Sequence, residues 1–133
     1  MTNTLSRRAL RAVLYAGGAV ATTAGLHTAV AGAKSGPGNG PDLASPSLES
    51  ELRFYGAFYA AYGVLALRVA PRADRDTGGV RAIAGALFLA GAARAGGWLA
   101  AGRPDKVQRS LLAIELAAPP AIVAWQARLP PAP

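Results

Sequence analysis

Residues 12–33 form a run of about 22 residues without Asp, Glu, Lys or Arg, and at 1.5 Å per residue a helix of that length crosses a hydrocarbon core of about 30 Å. No other feature limits the fold as strongly. Residues 54–67, continuing to Pro71, then 80–101 and 110–127 repeat the pattern with few charges. The expected architecture is all-α: a single domain over 1–133 built as a four-span transmembrane helical bundle, with spans at about 10–33, 52–70, 81–101 and 109–127. The second is slightly short by strict count, with Arg68 extending its head to the interface.

Local signals punctuate these spans. Residues 34–49 are rich in Gly, Pro, Ser and Asn, and Gly36-Pro37-Gly38-Asn39-Gly40-Pro41 holds neither helix nor central strand, so an outer loop is expected there. Ser45-Pro46 reads as an N-cap followed by proline at the first helical position, with Glu49 and Glu51 near the positive end of the helix dipole. Residues 71–79 read as a turn, and Gly102-Arg103-Pro104 closes the third span. Asp105-Lys106-Val107-Gln108 resembles a capping box. Pro119 and Pro120 should bend the fourth helix and leave carbonyls of Glu115 and Leu116 without their usual donors.

The net charge of +7 invites a nucleic-acid reading, but the basic residues flank apolar stretches rather than covering a water-facing element. With the N-terminus inside, Arg7, Arg8, Arg11, Arg68, Arg72, Arg75, Arg81 and Arg128 lie on the cytoplasmic side, against Lys34, Arg53, Arg103, Lys106 and Arg109 outside. This balance predicts a multi-pass protein of the cell membrane with both termini cytoplasmic. The expected partner is the lipid bilayer and not nucleic acid, and oligomerisation stays open. A rival reading treats Ser6-Arg7-Arg8-Ala9-Leu10-Arg11 as a twin-arginine-like export signal with cleavage near Ala29-Val30-Ala31, although the apolar region exceeds the usual signal core. No cysteine and a single His27 rule out disulfides, thiolate chemistry and a histidine metal cluster within one chain, and no cofactor or metal is expected.

Two ionisable residues interrupt the apolar runs, Arg94 in the third and Glu115 in the fourth. Glu115 lies six residues after Arg109 and Arg94 seven before Ala101, so both sit roughly 9–11 Å from the outer ends. A lone Arg or Asp at the centre of a membrane helix costs about 2.5–3.5 kcal/mol on insertion scales. A planar guanidinium fork facing a carboxylate reduces that cost, which makes Arg94–Glu115 the expected pair, with Glu51 as a competing acceptor. His27 falls within about a turn of the same depth, and Glu51 and Arg53 top the second helix. The candidate ligand-binding cluster is therefore His27, Glu51, Arg53, Tyr55, Tyr59, Arg94, Trp98 and Glu115, with no catalytic residue assigned. The bland alternatives carry more weight: a buried ion pair that only fixes helix register, a packing histidine, and a Tyr55/Tyr59/Tyr62 stripe used as core. Trp98 and Trp125 read as interface residues. Small residues at three- or four-residue spacing, Gly17, Ala21, Gly25, Gly85, Gly91, Ala92, Ala95 and Gly96, suit close helix contact.

Ser47-Leu48-Glu49-Ser50-Glu51-Leu52-Arg53-Phe54-Tyr55-Gly56 resembles the bacterial integral-membrane family known as domain of unknown function 4345. So do Ala70-Pro71-Arg72, Leu87-Phe88-Leu89-Ala90-Gly91-Ala92-Ala93-Arg94, Gly102-Arg103-Pro104 and Leu112-Ala113-Ile114-Glu115-Leu116, covering about residues 25–125. The resemblance implies a small four-helix membrane protein and carries over no catalytic residue. Asp105 stands where similar chains hold His. The resulting expectation is a structural bundle, or one binding a lipid or isoprenoid-like molecule. An embedded enzyme using Glu115 or His27 as acid/base and an oligomeric proton or solute transporter stand as alternatives.

Overall fold

A computed structural model describes residues 2–35 and 45–130 as four α-helices, with no strand among the described residues. They are α1 (Thr2–Ala31), α2 (Pro46–Val69), α3 (Thr77–Ala101) and α4 (Lys106–Ala127), with single 3-10 turns at Gly32–Lys34 and Ala70–Arg72. The all-α expectation holds. Most of the expected outer loop, residues 36–44, lies outside the described residues, as does the proline-rich tail from 131.

Three segments are long and apolar enough to cross a membrane: Thr4–Lys34, Thr77–Ala101 and Lys106–Ala127. The fourth expected span, α2, is not among them. That helix spends its first two turns on Glu49, Glu51 and Arg53, and Tyr55, Tyr59, Tyr62, Gly56 and Gly63 dilute the apolar stretch that follows. Length alone does not separate α2 from the others; its side chains do.

The helix starts follow from local chemistry. The Ser45 hydroxyl accepts from the Leu48 amide at 3.1 Å, with Pro46 opening α2, so one orphan donor of the first turn is satisfied. Asp76 accepts from the Gly79 amide at 2.8 Å and Asp105 from the Gln108 amide at 3.0 Å, capping α3 and α4 in the same way. At the other end of α3, Gly102 adopts a positive φ of 94°, a conformation open to glycine without steric penalty. α4 continues through Pro119 and Pro120, and Pro119 has no N–H to offer the Glu115 carbonyl.

The chain divides into two compact units, one formed by residues 12–71 and the other by residues up to 11 together with those from 72 onward. In the first, α1 and α2 meet through glycines. A Cβ at Gly25 would stand 2.7 Å from the Gly56 carbonyl oxygen, and one at Gly63 the same distance from the Gly18 carbonyl oxygen. Such backbone-to-backbone contact requires small residues on both helices. The seam uses Gly18, Gly25, Gly56 and Gly63, whereas Gly17, Gly85 and Gly96 from the expected small-residue set have no neighbour within 4 Å of a Cβ position.

In the second unit, α3 packs along α4, and the buried side chains include Leu10, Val80, Ile83, Ala84 and Leu112. Large apolar side chains point outward in both units, with Leu99 88%, Val30 74% and Phe58 69% exposed. Such surfaces are costly in water.

Candidate polar site on the third and fourth helices

Arg94 projects from α3 and Glu115 from α4, and the two meet as a bidentate pair. Arg94 Nε donates to Glu115 Oε2 at 2.7 Å and Nη2 donates to Oε1 at 2.9 Å. Both carboxylate oxygens thus face the guanidinium fork, the strongest geometry available to such a pair. Arg94 Nη1 donates to Gln108 Oε1 as well. Gln108 therefore has two jobs: its amide completes the Asp105 cap, while its side chain turns to Arg94 instead of closing the reciprocal half of a capping box.

Burial sets the energetic weight of the pair. Glu115 is 6% exposed, so removing the arginine would strand a buried carboxylate, typically at a cost of about 3–5 kcal/mol. Gly91, one turn before Arg94, lets α4 approach closely enough for this geometry: a Cβ there would lie 3.1 Å from Leu116 Cδ2. No buried side-chain nitrogen or oxygen among the described residues lacks a partner.

Trp98, one turn beyond Arg94 on α3, is 37% exposed. The other expected cluster members, His27, Glu51, Arg53, Tyr55 and Tyr59, belong to the unit of residues 12–71. Within that unit Arg53 pairs with Glu49 rather than Glu51, donating through Nε at 2.9 Å and Nη2 at 2.7 Å to Oε1. Its Nη1 donates to the Ala29 carbonyl at 3.2 Å, satisfying an acceptor in the last turn of α1. Glu49 Oε2 in turn accepts from the Ala33 amide at 2.8 Å. That amide hydrogen bond, followed by the one from Arg53, holds the Glu49 carboxyl below the ordinary carboxylate pKa. Glu51 and His27 are exposed, and their side chains make no hydrogen bond or ion pair with described residues.

The aromatic stripe is largely exposed, with Tyr62 half-buried. Tyr55 and Phe58 are exposed and Phe54 packs edge-on against Tyr55, while Tyr59 stacks on Tyr62 at a centroid distance of 6.0 Å. The expected core role therefore does not hold for Tyr55 and Tyr59, because helical periodicity identifies a face without saying whether that face turns inward.

A further node, absent from the candidate set, lies where α3 begins and α4 ends. The Asp74 side chain is 2% exposed and receives Arg7 Nη1 at 2.9 Å and Arg11 Nη2 at 2.6 Å. Burial pushes the Asp74 carboxyl up, but hydrogen bonds from Arg11 and Arg7 outweigh it and leave the pKa below its ordinary value. Beside it, Gln126 donates to the Ala73 carbonyl at 2.5 Å and Trp125 Nε1 donates to Ser6 Oγ at 2.7 Å. The i, i+4 spacing of Glu49 and Arg53 was a readable signal for their pairing. Nothing local links Asp74 to arginines more than sixty residues away. Among the described residues no three His, Asp or Glu gather into a metal-binding set.

The family model described as Domain of unknown function (DUF4345) matches residues 9–126, and the chain belongs to that family. No curated protein and no solved structure matches it.

Proposed function

We propose that this member of the DUF4345 family is a multi-pass protein of the cell membrane with a structural or lipid-binding role rather than a catalytic one, in which Arg94, Glu115 and Gln108 lock α3 to α4 within the bilayer. The observation that carries this reading is the bidentate pair, with Glu115 buried and a third polar group, Gln108, on the same guanidinium. A general base needs a carboxylate oxygen turned towards a substrate. Here both oxygens are turned towards arginine, which supports fastening over proton transfer. Outward-facing apolar side chains on α1, α3 and α4 support the membrane setting, since lipid removes the cost that such surface carries in water.

The test is a double-mutant cycle on purified protein in detergent or nanodiscs. Arg94→Leu and Glu115→Leu each lower the unfolding free energy by about 3–5 kcal/mol, and the double variant regains most of that loss, because no buried charge is left unpaired. Single variants that unfold like the parent chain would reject the lock. Alkaline extraction of membranes addresses the setting separately: the chain stays with the pellet, and its release into the supernatant would reject membrane insertion.

A further inference from the structure

Arg81 is a cation that the Arg94 lock does not use. It lies one turn inside α3 and lines one end of an open groove of about 520 Å³ that continues past Gly85 and Phe88 on α3 and past Pro120, Val123 and Ala127 on α4. From Arg81 to Phe88 the groove floor runs about 10 Å along the helix. Apart from Arg81 its lining is apolar.

The charges around the Arg81 end do not balance locally. Arg81 is exposed, and neither it nor Arg128, the residue after Ala127, has an ion pair or side-chain hydrogen bond with a described residue. Of the two carboxylates just before α3, Asp74 is paired with Arg7 and Arg11, while Asp76 caps the Gly79 amide and forms no ion pair with a described cation. Arg75 approaches Asp74 only at 3.9 Å and stays 63% exposed. An apolar trough that opens sideways and ends beside cations lacking a counter-charge among the described residues matches a molecule with a hydrocarbon tail and an anionic head.

We infer that this groove binds an anionic phospholipid, one acyl chain lying between Gly85 and Val123 and the phosphate facing Arg81 and Arg128. The inference rests on the membrane setting proposed above, but not on the Arg94–Glu115 lock. The apolar walls exclude a free phosphate as the natural occupant, and the cations favour an anionic over a zwitterionic head.

Native mass spectrometry of the full chain, exchanged from detergent into mixtures of phosphatidylglycerol and phosphatidylcholine, tests it. The parent chain retains phosphatidylglycerol in preference to phosphatidylcholine. Arg81→Gln with Arg128→Gln weakens that retention at least about tenfold, from roughly fivefold per arginine near an anionic head. Gly85→Leu, at a groove position where a Cβ has no neighbour within 4 Å, weakens it with both arginines intact, and Ala124→Leu serves the same purpose should Gly85→Leu fail to fold. Equal retention of the two lipids overturns the inference. So does loss with the arginine variant but not with the groove-filling one, which would mean surface adsorption. Failure of the chain to insert removes the membrane reading as well, whereas insertion without lipid preference removes this inference alone.

Discussion

At Gly91 the backbone of α3 runs so close to Glu115 that a Cβ added there would stand 2.8 Å from the Glu115 Cβ and 3.1 Å from its carbonyl carbon. The ion pair and the close approach are therefore one arrangement. Any side chain at position 91 must displace the residue that Arg94 holds.

Gly91→Ala is accordingly expected to destabilise the protein by about 1–3 kcal/mol through overpacking. Gly85→Ala, in the same helix but with nothing within 4 Å of its Cβ, should be neutral or stabilising by up to about 1 kcal/mol, because alanine is the better helix former. Thermal unfolding in one detergent compares them. Equal shifts of the same sign would mean that α4 does not approach α3 at Gly91.

Gln108→Ala removes the third polar contact of Arg94 while leaving the Asp105 cap on the 108 amide intact. A hydrogen bond to a charged group contributes about 1.5–3 kcal/mol, so this variant should lose less stability than Glu115→Leu. It should also couple with Arg94→Leu in a double-mutant cycle. Additive losses would separate Gln108 from the lock.

Asp74 gives acid sensitivity of a defined sign. Its folded pKa lies below the ordinary 3.8, so its stabilising contribution is fully present above that value and is lost as pH falls through the lower folded value. Asp74→Asn should reduce stability near neutral pH and flatten its fall below about pH 4. Unfolding followed between pH 7 and pH 2 would show it, and a variant as acid-sensitive as the parent would exclude Asp74 from the effect.

Glu49→Ala takes the acceptor from the Ala33 amide and from Arg53 together. Hydrogen exchange at Ala33 should accelerate, while exchange in the middle of α1 stays slow, since only the helix end loses its partner. Unchanged protection at Ala33 would mean that the carboxylate contributes nothing there.

The parts of this molecule legible in the sequence are those whose cause is local or singular. Ser45 and Asp105 announce their helices because a cap depends on the next three residues. Arg94 and Glu115 stood out because each interrupts an apolar run where a charge without a partner is expensive, and they are indeed paired. Glu49 competes in the sequence with Glu51, two residues on and on a different helix face, and only the four-residue spacing to Arg53 distinguishes it. Asp74 could not be found this way, since its partners are 67 and 63 residues distant. The α1–α2 seam hid in an Ala- and Gly-rich background, where Gly17 and Gly18 look alike but only Gly18 faces a neighbouring chain segment. The tyrosine stripe showed its period and concealed its direction.

Gly32, with a φ of 54°, turns the end of α1 so that Ala33 offers its amide to Glu49, while Arg53 reaches back to Ala29. The helical hairpin is thereby buckled by side chains at the end where the chain passes from α1 to α2. Its alignment need not be dictated by how many residues separate the two rods, so lengthening or shortening that connection should leave the alignment of α1 on α2 in place.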